Sequence, residues 1–499
     1  MTALATRPSQ HDALGRLTDR RLLRELAYID GRWTAAANGA VFEVDDPATG
    51  VTVARVARLG AAEADRAIAA AQAAFPAWRA LLPQERAAKL RNWFDRILAA
   101  KEDLALLMTL EQGKPLAESR GEIDYGAGFV EWFAEEAKRL NVESVTSHLP
   151  GAEMMVRREP LGVVGVATPW NFPCAMLTRK AAAALAAGCT VVAHPSSQTP
   201  LSALALAELA ERAGIPAGVL NIVTGDPEPI VGRICADRRV RAVSFTGSTE
   251  IGRLIAERCA PTIKRLQLEL GGHAPLIVFA DADLDRAVSI AIDAKFATSG
   301  QDCLAANRIY VERPVYAAFC EAFARRVAEL RVGNGLDPET EIGPLMHDRA
   351  VAKAAEHVRD ALARGARCLA GGEAHPAGPL FFAPTVLADV PDDAAIMREE
   401  TFAPVAAVTA FDGEDEVIAR ANDTEYGLVA YVVTRDAGRV LRLGRALDYG
   451  MVAVNRVKIT GAPIPFGGTK QSGLGREGSR HGIEAFTELK YLCLDLNAA

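Results

Sequence analysis

Between residues 161 and 275 short apolar runs alternate with longer amphipathic ones, and this rhythm leaves few folds open. GVVGVATP reads as a strand, LTRKAAAALAAG as a helix and CTVVAHP as a strand. LSALALAELAERAG is a helix closed by glycine, GVLNIVTG a strand, VRAVSFTG a strand and TEIGRLIAERCA a helix. Such βαβ repetition predicts a parallel sheet covered by helices. Residues 276–450 repeat the style, with APLIVF, a helix near 283–297, NRIYVE and a long helix over 315–331. Upstream, 61–98 and 117–140 carry helical periodicity, the latter with acids early and Lys138 and Arg139 late, as the helix dipole favours. Residues 142–156 break the habit: SVTSHLPGAEMMVRREP predicts two strands joined at Pro150 and Gly151, a hairpin protruding as an arm. Residues 1–20 are polar and read as loosely ordered. The fold class is α/β, two parallel-sheet domains plus a β-hairpin arm.

Composition narrows the function. With 499 residues the chain is long enough for about three domains at ~150 residues each. The balance of 56 basic and 63 acidic residues, without a like-charge block, excludes a nucleic acid or anionic membrane recruited by bulk charge. The longest apolar stretch, Ala181 to Val192, is too short to span a bilayer, and the first residues hold no apolar signal core. Eight cysteines occur without a CxxC pair or metal-type spacing, which predicts reduced thiols in the cytoplasm and no metal. Seven read as small core residues and one as a reactive thiol.

Four short motifs can carry chemistry. Phe245–Gly252, FTGSTEIG, sits between a strand and a helix, where free N–H groups can face a phosphate; by itself it is also an ordinary strand-to-helix turn. In Thr168–Pro173, TPWNFP, prolines stiffen an asparagine, and a held amide can donate to an oxyanion. Glu269 follows an apolar run, where a carboxylate is costly unless it has a task or a partner. Cys303 follows a glycine-containing loop. A thiolate nucleophile with a carboxylate base suits acyl chemistry through a thioester. Asp302 beside Cys303 works against thiolate formation.

Together TPWNFP, FTGSTEIG, LELGG, GQxC, EETFxP and PFGGxKQSGLGREG resemble the NAD(P)-dependent aldehyde dehydrogenases, over about residues 23–496. LTRK at 177–180, QTPLSALALAEL at 198–209 and the ending GREGSRHGIEAFTELKYLCL resemble bacterial succinate-semialdehyde dehydrogenases. The resemblance implies Cys303 as nucleophile, Glu269 as general base, the Asn171 amide and Cys303 N–H as oxyanion hole, and Lys180 as support. It implies NAD or NADP held by Thr168, Trp170, His194, Ser197, Gly225, Gly247, Ser248, Gly252, Glu400 and Phe402. The substrate would be a small aldehyde bound through Arg179, Thr460 and Lys458. The implied domains are a cofactor-binding domain over 22–141 and 161–271 and a catalytic domain over 272–475. An oligomerisation arm, 142–160 and 476–499, would serve a homodimer or homotetramer.

The chain departs from the pattern at four places. His194-Pro195-Ser196-Ser197 stands where the family has Lys-Pro-x-Glu or Lys-Pro-x-Ser. Ser197 does not repel a ribose 2′-phosphate, but a neutral histidine does not attract it, so either cofactor is open. Ala297 stands where succinate-semialdehyde enzymes carry a second arginine, and Lys458 or Arg456 is a candidate replacement. Ala305 removes the partner for a redox disulfide with the nucleophile. Ala403 replaces a glycine and costs stability if the backbone there needs a positive φ. The implied substrate is succinate semialdehyde. Glutarate or 2-oxoglutarate semialdehyde, or an apolar aldehyde, remains the alternative. A non-catalytic homologue would not keep Cys303, Glu269 and Asn171.

Overall fold

The computed structural model describes residues 11–495. Two sheets organise the chain. The first has eight strands in the order Gly473–Leu474, Arg265–Glu269, Val240–Thr246, Val163–Thr168, Thr190–Pro195, Leu220–Ile222, Ala27–Ile29, Arg32–Thr34. Its five central strands are parallel and its edges antiparallel. The second has seven strands in the order Arg367–Ala370, Thr385–Ala388, Val405–Phe411, Ala306–Glu312, Ala274–Val278, Val429–Val433, Met451–Val454. It is parallel except at the Arg367–Ala370 edge. The βαβ rhythm thus forms parallel sheet as expected. The antiparallel edges come from short strands with no crossover helix to signal them.

Helix ends follow local chemistry. Proline opens the helices Pro83–Ala99, Pro173–Ala187, Pro200–Arg212 and Pro227–Ala236, where its missing N–H costs nothing. The Pro173–Ala187 helix, buried along its whole length, lies against the first sheet. The strand Val163–Thr168 continues through Thr190–Pro195 on one side and is flanked by Val240–Thr246 on the other. The chain order therefore reverses beside Val163–Thr168, and a crevice opens at the C-terminal ends of these strands. Thr168-Pro169-Trp170-Asn171 and Thr246-Gly247-Ser248 leave the sheet there.

The hairpin forms from Glu143–Val145 and Ala152–Pro160, and the latter strand also pairs with Thr487–Asp495. Met154 on its apolar side is buried, whereas Val145 and Leu149 are exposed. Residues 1–10 and 496–499, part of the loose lead and of the arm, lie outside the described residues. The rest of the lead is more structured than its polarity suggests: Asp12–Arg16 and Arg20–Leu22 are 3-10 turns, Leu14 and Leu22 are buried, and Asp103 accepts the Thr18 and Asp19 N–H groups at 2.8 Å. Five cysteines besides Cys303 are buried. Cys368 and Cys493 are exposed, so they are not core residues as composition suggests.

Candidate active site

A cavity of about 1010 Å³ runs between the two sheets. Cys303, Asn171, Trp170, Gly247, Ser248, Glu400, Phe402, Arg179, Thr460, Lys458 and Ala297 all line it, although the sequence scatters them over nearly three hundred positions. The loop carrying Cys303 leaves the helix Leu284–Phe296 through Thr298 and Ser299, both at positive φ (50° and 57°). Glu118 steadies this strained turn by accepting the Thr298 N–H at 2.9 Å. Gly272 is needed opposite, because a Cβ there would lie 2.1 Å from the Cys303 carbonyl oxygen. Burial raises the Cys303 thiol well above its ordinary pKa, and Asp302 and Glu400 add to the shift. The sequence-level expectation for Asp302 agrees in sign.

Asn171 is buried, and its Nδ2 donates to the Gln301 carbonyl at 2.9 Å. This bond uses one of the two amide N–H groups, and Asn171 lines the same cavity as Cys303. Glu269 ends the strand Arg265–Glu269, fully buried, with neither carboxylate oxygen hydrogen-bonded. Burial, then the neighbouring Glu477 carboxylate, raise it well above the usual carboxylate range. Lys180 does not line the cavity; it is buried on Glu477. Glu477 also pairs with Arg179. Sequence reasoning missed Glu477, whose only signal was its place in the GREG motif.

Arg179 lines the cavity, and each of its nitrogens has a protein neighbour. Nε pairs with Glu477, one terminal nitrogen donates to Tyr125 Oη at 3.3 Å, and the other lies 3.0 Å from Met176 Sδ. Burial opposes its charge, and Glu477 more than restores it, holding the guanidinium above its ordinary pKa. Burial raises the Tyr125 hydroxyl above its ordinary pKa, and Arg179 and Thr460 work against that shift. Lys458 is exposed at the mouth, which a second cleft shares with Arg286, Asp293 and Arg456.

The other end of the cavity suits a dinucleotide. Thr246, Gly247 and Ser248 lie at the start of the helix Thr249–Cys259, where unpaired N–H groups and the helix dipole favour phosphate. The Thr246 hydroxyl, in the cavity wall, is buried without a hydrogen-bond partner, as a donor awaiting a polar ligand would be; the Thr168 hydroxyl is likewise unpartnered but lies outside the wall. Across the cleft Trp170 packs edge-on against Phe402 at 5.6 Å. Glu400 accepts the Gly272 N–H at 3.1 Å, and burial pushes its carboxyl up to about 7. A ribose hydroxyl fits such an acceptor. Thr168, His194, Ser197, Gly225 and Gly252 are not in the cavity wall. His194 is buried with Nδ1 2.9 Å from the Val223 carbonyl, and burial lowers its pKa. Gly252 packs on Leu270 and Gly225 on the Leu59 backbone. The positive φ near the EETFxP motif falls on Phe402 (55°) and not on Ala403, so Ala403 carries no backbone strain.

Comparison with known proteins adds a family and its spread. The model of the aldehyde dehydrogenase family matches residues 33–492. A non-phosphorylating aspartate-semialdehyde dehydrogenase of Halomonas elongata is 55% identical over 478 residues, covering 96% of this chain and 97% of that one. A glutarate-semialdehyde dehydrogenase of Pseudomonas putida is 54% identical over 480 residues, covering 96% and 100%. The crystal structure of a succinate-semialdehyde dehydrogenase from Burkholderia pseudomallei superposes with a TM-score of 0.95 at 51% identity, covering 96% and 100%.

Proposed function

The chain belongs to the aldehyde dehydrogenase family, and from that premise we propose that it oxidises succinate semialdehyde or its one-carbon-longer homologue, glutarate semialdehyde, to the dicarboxylic acid. It is an NAD(P)-dependent semialdehyde dehydrogenase. One observation carries the substrate reading. Arg179, held charged by Glu477, lines the cavity together with Lys458, while Lys180 lies behind the wall on the same carboxylate. A buried arginine and an exposed lysine lining one cavity support an aldehyde with an anionic tail.

The residues divide the work. Cys303 Sγ adds to the aldehyde carbon, and the second Asn171 amide N–H with the Cys303 N–H holds the resulting oxyanion. When bound, the oxidised nicotinamide supplies the hydride acceptor that this chemistry requires. Glu269, once deprotonated, takes a proton from water that cleaves the Cys303 thioester. Gly247 and Ser248 would take the pyrophosphate and Glu400 a ribose, with Trp170 and Phe402 packed alongside. Thr168, His194, Ser197, Gly225 and Gly252 would shape this half from behind.

Arg179 acts on the substrate carboxylate through its charge and through the second N–H of its terminal nitrogens, each of which has a single protein neighbour. Lys458, exposed at the mouth, and Thr460 supply further contacts. The reading favours 22–141 with 161–271 as the cofactor domain and 272–475 as the catalytic domain. The apolar residues Val145, Leu149, Leu489 and Tyr491, exposed on the arm of residues 142–160 and 476–499, support a homodimer or homotetramer in which a second copy covers them. A kinetic panel tests the substrate claim: succinate, glutarate and aspartate semialdehydes and uncharged aldehydes, each with NAD and NADP. Preference for an uncharged aldehyde would overturn it.

A further inference from the structure

Lys114 lies in a buried ion pair at the cavity wall, 57 residues before Asn171 in the sequence. Its Nζ lies 2.7 Å from Glu122 Oε2, and both side chains are almost wholly excluded from solvent. Burying two charges is costly unless further bonds satisfy them. Those bonds run to Asn171. Lys114 Nζ donates to the Asn171 carbonyl at 2.6 Å and lies 4.2 Å from the centre of the Phe172 ring. The other oxygen of Glu122 accepts the N–H groups of Cys174 and Ala175 at 2.9 and 3.1 Å. The pair thus grips the chain on either side of Phe172 and Pro173, at Asn171 and at Cys174 and Ala175.

The same contacts close into a ring. Asn171 Nδ2 donates to the Gln301 carbonyl, two residues before Cys303. The Gln301 side chain donates to the Pro344 carbonyl at 3.2 Å and accepts the Met346 N–H at 3.0 Å. Gly343 and Pro344 press on Gly113: a Cβ on Gly113 would meet Pro344 Cγ at 2.6 Å, and one on Gly343 would meet the Gly113 carbonyl oxygen at 2.4 Å. Gly113 is bonded to Lys114, which completes the circuit. Both ends of Asn171, carbonyl and amide, are fixed by this ring.

We infer that Lys114, through its pair with Glu122, is a positioning residue that fixes the Asn171 amide relative to Cys303 for oxyanion stabilisation. The inference rests on the reading of Asn171 as oxyanion donor and Cys303 as nucleophile. Two reagents that react with the thiolate without any cofactor separate its parts. With p-nitrophenyl acetate a C–S bond forms, a tetrahedral oxyanion develops, and the C–O bond to p-nitrophenolate breaks. With iodoacetamide the thiolate displaces iodide and no oxyanion arises. Loss of fold, or a shift in the thiolate population from the lost positive charge, changes both rates together. Loss of the oxyanion donor's position lowers only acylation.

For Lys114→Met the ratio of Cys303 acylation to alkylation should fall about tenfold, below the roughly 100- to 1000-fold cost of deleting an oxyanion donor outright. Lys114→Met/Glu122→Gln leaves no unpaired buried charge and keeps an acceptor for Cys174 and Ala175, so it should fold and show the same fall. A fall of less than threefold in the folded double variant overturns the inference. Asn171→Ala is the reference. If it too leaves the ratio unchanged, the assignment of Asn171 has failed; if it lowers the ratio while the double variant does not, only the role of Lys114 has.

Discussion

Glu477 ties Arg179 and Lys180, neighbours on one helix, to a single buried carboxylate. Burial works against its ionisation, but Arg179 and then Lys180 hold it below the usual carboxylate range. Removing it strands two buried cations. Glu477→Gln should therefore cost about 3–5 kcal/mol of stability, the range for breaking a buried pair. Urea denaturation checks this, and a loss below about 1 kcal/mol would show that the cations find other partners.

The substrate charge should be read at Lys458. Lys458→Met should raise KM for succinate semialdehyde about tenfold, since one charge-assisted hydrogen bond is worth about 1.4 kcal/mol or more, and leave uncharged aldehydes unaffected. Ala297→Arg, which adds a cation to the cavity wall, should lower KM for the same substrate. Equal effects of Lys458→Met on charged and uncharged aldehydes would place the anion elsewhere.

The pH dependence has a definite sign. Cys303 and Glu269 both work deprotonated, and burial raises both, with Asp302 adding to Cys303 and Glu477 to Glu269. The rate should therefore climb as pH rises above neutral. Asp302→Asn removes an anion beside the thiol and should move the rising limb of kcat/KM to lower pH. A limb that stays in place or moves up would deny Asp302 its effect on Cys303.

The sequence made Cys303, Asn171 and Glu269 stand out and left the residues they pack with hidden. Each stands in a compact motif, and the fold brings Cys303 and Asn171 to one cavity. Both parallel sheets were visible because helix and strand periods alternate strictly along them. Glu477 and Glu122 were not visible. Their partners lie 297 and 8 residues away, and pairing across folded elements leaves no local pattern. Arg179 shows the opposite limit: its position was right for the cavity, but only the structure reveals that Glu477, Tyr125 and Met176 surround its nitrogens.

Cofactor preference can be tested at His194. Its Nδ1 faces the Val223 carbonyl, so Nδ1 carries the proton, and the lowered pKa keeps the ring neutral. Such a ring brings no cation to a 2′-phosphate. His194→Lys should strengthen NADP binding about tenfold relative to NAD, by the same charge-assisted bond arithmetic. Unchanged dissociation constants for both cofactors would place the phosphate beyond reach of this position.

The most direct test of the mechanism is rapid-quench mass spectrometry of Glu269→Gln mixed with succinate semialdehyde and the oxidised cofactor. The predicted result is an acyl group on Cys303 accumulating to about one per active site, with a matching burst of reduced cofactor and slow release of acid. Full steady-state turnover with no adduct on Cys303 would contradict both the nucleophile and the base assigned here.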